Sequence, residues 1–384
     1  MSTRVSIVNV NDYGSIPEAI FAAIKLIENN LSFDISTSEK ILLKPNLLRA
    51  SKDACSQSSF VEGVILYLKD QGVSMDKVFL GDSPGQQGKS VSDIAKEIGM
   101  LELCEKNGIT LVDFGSEAPE VEIIDNAVNM KEYRVAKAVK ECDILINLPK
   151  LKSHGEATMT GAIKNYWGII PGGLKAKYHL LGKSADQFGQ VLADNFSWIV
   201  KNKPNRLTVY DLQRIMEGAM GPNAGKMTKW DLILVGTDEL ALDVVALEIG
   251  KRKAKIVPHV KSAIERNLGV GSLENIEVVG LTLEEAKKLT PKFNIPGRTM
   301  TRFISFMSSH MAYKVIKRIP NLIKKKCVQC GQCAQNCPAE AIEFEKGKYP
   351  VFLRKKCISC LCCFELCPED AIEAKSRGLA GFFD

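Results

Sequence analysis

The sequence predicts an α/β fold: a large domain with a mainly parallel sheet flanked by helices, then a small α+β domain at the C-terminal end. Three observations predict it. Strand-like and helix-like segments alternate from residue 1 to about 297. KILLKPNL reads as an unbroken apolar run ending in proline, a buried strand. Nine of the twelve cysteines then crowd between Cys327 and Cys367.

Taken in order, VSIVNV is a strand and IPEAIFAAIKLIENN a helix with Pro17 near its start. KILLKPNL is the next strand and FVEGVILYLKDQ the next helix. KVFLGDSPG is a strand entering a turn, and VSDIAKEIGMLELCEKNG a helix closing on Gly108. ITLVDFG is a strand, and RVAKAVKECDILINLPK a helix running into one. RLTVYDL, DLILVGTDELALDVVALEIG and ENIEVVG continue the pattern. Cys104 and Cys142 sit in apolar, helix-like surroundings as core residues.

Composition bounds the function. Hydrophobic residues make up 45% and charged residues 25% of 384, as in ordinary soluble globular proteins. No apolar run is long enough to cross a bilayer. The start, MSTRVSIVNVNDYG, has no apolar leader core, so a reducing cytoplasm is the expected location. The net charge is +6, but residues 298–326 carry eight Lys/Arg and no Asp/Glu, so the rest is slightly acidic. That local basicity argues against a broad nucleic-acid surface.

The cysteines form two runs. Cys327, Cys330, Cys333 and Cys337 precede Pro338; Cys357, Cys360, Cys363 and Cys367 precede Pro368, each 30 residues on. Three cysteines two residues apart wrap three corners of one 4Fe–4S cubane, while the fourth serves the other cubane. Cluster 1 is therefore expected on Cys327, Cys330, Cys333 and Cys367, and cluster 2 on Cys357, Cys360, Cys363 and Cys337. Each fourth cysteine is expected to start a short helix. Zinc sites use four ligands but not this duplicated triple spacing with a trailing Cys-Pro. Cys362 is surplus to the pattern and reads as a small buried filler. Ala341-Ile342 and Ala371-Ile372 are expected beneath the clusters. Residues 327 to about 372 resemble bacterial two-cluster ferredoxins, which implies low-potential one-electron transfer with relay between the cubanes.

In open α/β sheets, ligands sit beyond the carboxyl ends of the strands. Those ends carry Lys44 and Asn46, Asp82 and Ser83, and Lys150, Lys152 and His154. Thr160, Lys164 and Asn165 follow in TGAIKN, whose Thr-Gly opening resembles a helix N-terminus. Lys152, His154 and Lys164 are the candidate proton donors. The others are candidate substrate contacts, with the lysines suited to an anionic group. GIIPGGLK, from Gly168 to Lys175, reads as a mobile loop over the crevice.

Three near-misses are weaker. GDSPG matches a nucleophile elbow, but Pro84 and GQQG postpone the helix that an elbow needs. SPGQQGKS is one glycine short of a P-loop, because Ser83 stands where the first glycine belongs. No G-x-G-x-x-G follows a strand, so no flavin or nicotinamide site is evident.

KPNL, GDSPG and NLPKLKSH followed by TGAIKN resemble the family called domain of unknown function 362, over about residues 5 to 250. In that family the domain is often fused to ferredoxin-type clusters. Ser153 stands where the family usually has threonine, which keeps a hydroxyl. The resemblance implies an iron–sulfur redox protein and supplies no substrate.

Residues 298–326 read as a basic connector helix with Phe303, Phe306, Met307, His310, Met311, Tyr313, Val315 and Ile316 on its apolar side, ending near Pro320. A packed linker is the favoured reading. A lid, the docking of an acidic ferredoxin donor, and contact with a membrane surface are the others. The expected function is an iron–sulfur reductase: a low-potential donor such as a ferredoxin feeds two clusters, which reduce a conjugated double bond or ring of an anionic small molecule. The alternatives are an electron carrier whose large domain docks on a partner enzyme, and a non-redox metal enzyme using Asp82, Asn46 and His154.

Overall fold

The structure, a computed structural model, describes residues 3–85, 89–116, 118–182, 184–218, 221–223, 225–295 and 318–376. In chain order the strands are β1 (Thr3–Asn9), β2 (Ile41–Pro45), β3 (Val78–Asp82), β4 (Thr110–Asp113), β5 (Glu120–Ile123), β6 (Glu132–Val135), β7 (Ile144–Leu148), β8 (Lys150–His154), β9 (Thr158–Thr160), β10 (Arg206–Glu217), β11 (Lys226–Gly236), β12 (Ile276–Gly280), β13 (Arg318–Leu322), β14 (Ile342–Glu343), β15 (Val351–Phe352) and β16 (Ile372–Ser376). The main sheet follows the path β12-β1-β11-β10-β7-β2-β3-β4, with β8 beside β10 and β9 beside β8. β11 is antiparallel to β1 and β10, and β9 to β8; the other neighbours in this sheet are parallel.

Because successive strand residues face opposite ways, the sheet feeds two apolar layers. Ile41, Leu43, Ile144, Ile146, Val209 and Val235 pack under the helices Ile16–Lys25, Ser58–Asp70, Val91–Glu97 and Met100–Asn107. Leu42, Leu145, Tyr210 and Leu234 pack under Ala185–Asn202, Glu239–Ile249 and Pro258–Glu265. The result is an α/β/α sandwich. Helix starts follow local chemistry: Ser15 accepts from Glu18 N, and Ser90 and Asp93 form a reciprocal capping box. Among the described residues, no helix is long and apolar enough to cross a membrane.

Several elements differ from expectation. The helix closing on Gly108 is two helices, broken at Gly99, whose φ of 78° is left-handed. RVAKAVKE is not one helix: Glu132–Val135 pairs with β5 as a hairpin, and only Lys137–Glu141 is helical. Pro149 divides NLPKLKSH into β7 and β8.

The small domain is built from two antiparallel pairs, β13 with β16 and β14 with β15. Ile342, Ala371 and Ile372 form its core with Leu361 and Phe364, as the repeat suggested. The short helices Gln332–Gln335 and Cys362–Glu365 precede the fourth cysteine of each run rather than starting at it. The connector is also corrected at its end: Arg318–Leu322 is a strand, and Lys324–Lys326 a 3-10 turn, both part of the small domain. The apolar positions from Phe303 to Ile316 lie outside the described residues.

Candidate active site

β2, β3, β4 and β8 end together, and a cavity of about 440 Å³ opens beyond them. Nine of the ten large-domain residues singled out above line it; Lys150 does not. Its ammonium lies 2.8 Å from Asp211 Oδ2, with both side chains 1% exposed. Lys150 is thus a buried structural ion pair that ties β8 to β10, not a substrate contact.

Part of the lining is a frame. Lys44 Nζ sits 2.9 Å from Asp82 Oδ1 and donates to Pro45 O. Asp82 also accepts from Leu47 N and Ser83 N, each at 2.7 Å. This carboxylate therefore locks the ends of β2 and β3 together. Beneath them, Asn46 donates to Asn165 Oδ1, Asn165 to Asn147 Oδ1, and Asn147 to Ala162 O. That amide chain fixes the helix Ala162–Asn165, whose first two N–H groups are capped by Asp243. Burial raises the Asp243 carboxyl to about 7.

Other groups face the cavity with capacity to spare. Lys152 donates to Asn46 Oδ1 and Ala54 O, both neutral, and burial lowers it to about 7. Lys175 reaches Ser83 O, and burial lowers it to about 8. Lys164 is half-buried, its pKa also lowered by burial, and among the described residues its ammonium has no hydrogen-bond or ion-pair partner. The Thr160 hydroxyl is buried and, among the described residues, unpartnered.

His154 is held differently. Its Nδ1 accepts from Glu156 N and Ala157 N at 3.2 and 3.1 Å, so the ring proton sits on Nε2, 3.1 Å from Glu365 Oε1. Adding a second proton would aim Nδ1–H at two N–H donors. Burial and Lys164 also lower its pKa, which favours neutral His154.

The sequence reading missed His179. Its Nδ1 lies 2.9 Å from Glu156 Oε2, and its ring stacks on Phe188 at 4.3 Å. Burial opposes its charge, but Glu156 outweighs that and raises its pKa. Lys175 and His179 come from the Gly-rich stretch read as a loop and the segment after it. Gly168, Gly172 and Gly173 do border the cavity, although Leu174–Tyr178 is helical.

The small domain closes one wall with Asn336, Cys362, Glu365 and Leu366. It is pinned there by Arg49 to Asp370 at 2.7 Å and by Asn223 Nδ2 donating to Glu365 O at 2.8 Å. Cys362 is buried, as a filler would be, yet it faces the cavity.

The cysteines of both runs come together in the small domain. Cys327, Cys330, Cys333 and Cys367 line one small cavity, and the thiols neighbouring Cys333 are Cys330, Cys367 and Cys327. Cys363 has Cys360, Cys357, Cys333 and Cys337 around it, so it also borders the first set. Four thiols per set fit a cubane's four corners. Among the described residues, no three His, Cys, Asp or Glu groups converge to hold a single ion. Asp82 and His154 are already engaged by Lys44 and Glu365, so the geometry does not favour the metal-enzyme alternative.

Fold and site define an α/β protein that carries an iron–sulfur module against a cationic cavity. The chain belongs to the family described as Domain of unknown function (DUF362), whose model matches residues 41–248. The 4Fe-4S dicluster domain model matches residues 326–372. A thylakoid-associated protein of Synechocystis sp. is 31% identical over 242 residues, spanning 62% of this chain and 70% of that protein. Two solved structures are similar to part of this chain. A Thermotoga maritima protein has TM-score 0.38 and 14% identity, over 58% of this chain and 54% of its own. The lactate racemase apoprotein from Thermoanaerobacterium thermosaccharolyticum has TM-score 0.40 and 12% identity, over 62% of this chain and 54% of its own. This chain spans about half the length of each of the two.

Proposed function

We propose that the protein is an iron–sulfur reductase that uses two 4Fe–4S clusters to reduce a conjugated double bond or ring of an anionic small molecule in the cavity. The observation that carries this reading is the shared wall: the loop of the second cysteine set and the lysine-bearing strand ends enclose the same space. A cluster, when bound, supplies single electrons at low potential. The donor is an external low-potential one-electron carrier. Two electrons and two protons add across the double bond, leaving two new C–H bonds.

The chain's own groups do the rest. Lys164, Lys152 and Lys175 hold the anion, and Thr160 is free to hydrogen-bond it. His179, oriented and kept charged by Glu156, donates one proton from Nε2; Lys164 donates the other. His154 is a positioning residue, because its tautomer is fixed by the Glu156 turn and by Glu365.

Incubating reduced, cluster-loaded protein with unsaturated carboxylates tests the reading. Reoxidation of the brown chromophore with formation of the saturated acid is expected. Reoxidation only by another redox protein would establish the carrier instead. Lys164→Met and His179→Gln are expected to lower turnover by about a hundredfold each, within the range of acid–base groups. Unchanged rates in both would remove their roles.

The lysines also predict a pH dependence. A lysine is charged below its pKa, so Lys152 and Lys175 lose charge as pH rises through about 7 and 8. Affinity for an anion such as fumarate should therefore fall from pH 6.5 to 9, by up to about tenfold per unit per lysine. Calorimetry at pH 8 should show proton uptake on binding. A flat profile without uptake would place the anion elsewhere.

A further inference from the structure

The duplicated module allows its two halves to be compared position by position. The second loop docks on the large domain: Leu361 and Cys362 are at most 4% exposed, Glu365 reaches His154, and Phe364 anchors the loop in the small domain's own core. Leu361 presses so closely on Gly155 that a Cβ there would lie 2.8 Å from its Cδ1. At the equivalent positions the first loop has Gly331, Gln332, Ala334 and Gln335, which are small or polar. Cys360 is buried, whereas its counterpart Cys330 is exposed, and Val328 is 61% exposed. One end of the module faces this chain's cavity, and among the described residues the other is left open.

The open end has a definite chemistry. Lys324, Lys325 and Lys326 directly precede Cys327, and all are exposed. No carboxylate among the described residues pairs with them, and Lys324 Nζ lies 5.4 Å from the centroid of the exposed Tyr349 ring. Charged groups around a small apolar and aromatic centre, next to an exposed cysteine, are the make-up of a transient redox contact.

We propose that this face, formed by Lys324–Lys326, Val328, Cys330 and Tyr349, is the docking surface for an acidic one-electron donor protein. Each encounter oxidises the donor by one electron and reduces the module by one. Electrons enter at the Cys330 end and leave at the Cys362 end. The lysines steer the encounter through long-range attraction, so the contact is fast and salt-sensitive rather than tight. The assignment goes beyond the cavity reading and does not depend on the substrate.

The repeat supplies the control. Arg354, Lys355 and Lys356 precede Cys357 as the lysines precede Cys327, and they too are exposed. Stopped-flow reduction of the full-length, cluster-loaded protein by a prereduced acidic ferredoxin should be compared for two triple variants. Lys324→Glu with Lys325→Glu and Lys326→Glu should slow the second-order rate about tenfold or more at low ionic strength and flatten its salt dependence. Binding of the oxidised ferredoxin, followed by calorimetric titration, should weaken in parallel. Arg354→Glu with Lys355→Glu and Lys356→Glu should change either readout by less than about threefold. Photoreduced deazaflavin, a small uncharged reductant, should reduce all three proteins equally. Equal losses in both triples, no loss in the first, or a matching loss with deazaflavin would each overturn the assignment.

Discussion

Cys337→Ser is expected to cost the protein the cluster nearer the cavity, although Cys337 lies in the other cysteine run. The reason is spatial. Cys367 lines the small cavity of Cys327, Cys330 and Cys333, and Cys337 lies near Cys363 of the other run. Iron should fall from about eight to about four atoms per chain, and reoxidation by the cavity substrate should vanish. Pairing variants makes the grouping testable. Adding Cys357→Ala to Cys337→Ser should remove no further iron, because both would strike the same set. Adding Cys327→Ala should remove nearly all of it. The reverse pattern, with iron following the two runs as written in the sequence, would show that the fourth cysteines are not exchanged.

Gly168→Ala is expected to damage the large domain severely. A Cβ at this position would lie 2.7 Å from Lys44 Nζ and closer still to Asp82 Oδ1, distances real Cβ atoms do not show. Neither neighbour can yield cheaply. Their side chains are 1% and 4% exposed, and the Asp82 carboxylate also holds the backbone of Leu47 and Ser83. Forcing the ion pair apart leaves a poorly compensated buried charge, a loss of about 3–5 kcal/mol. Chemical denaturation should show a midpoint lowered by that loss divided by the slope, with the slope unchanged. Gly172→Ala is the matched control: its φ is +50° with open space around it, so only the left-handed backbone is strained, at about 1–2 kcal/mol. Equal losses in the two variants would mean that the Lys44–Asp82 pair does not anchor this end of the sheet.

The parts of the site legible in the sequence were those set by short-range spacing. The cysteine runs fix their own loops, and apolar strands ending in Lys44, Asp82 and His154 place those residues at one edge of a parallel sheet. What stayed hidden depends on pairing between distant segments. Lys150, Lys152 and His154 fall two apart on one side of β8, so spacing put all three in the crevice, Lys150 as a substrate contact and the other two as proton donors. Only the register that sets Asp211 opposite Lys150 shows that the first is neutralised. His179 carries no motif, and its partner Glu156 lies in the β8–β9 turn, more than twenty residues earlier. Glu365 sits inside a cysteine spacer, where nothing local suggests a contact with His154. Gly99 was visible, but a glycine in a helical pattern breaks it only when φ turns positive, and that is settled by the packing of the two halves.

The position of β1 has a consequence for biogenesis. This strand is made well before its ladder partners, which among the described residues are β11 and β12, ending at Gly236 and Gly280. At ribosomal speeds of about 5–20 residues per second, it waits roughly ten seconds to a minute before either neighbour exists. During that time VSIVN is an unpaired apolar strand, open to pairing with the same segment of another nascent chain. Overproduction at high temperature should therefore give inclusion bodies, and slower synthesis or a chaperone that shields the amino terminus should raise the soluble yield.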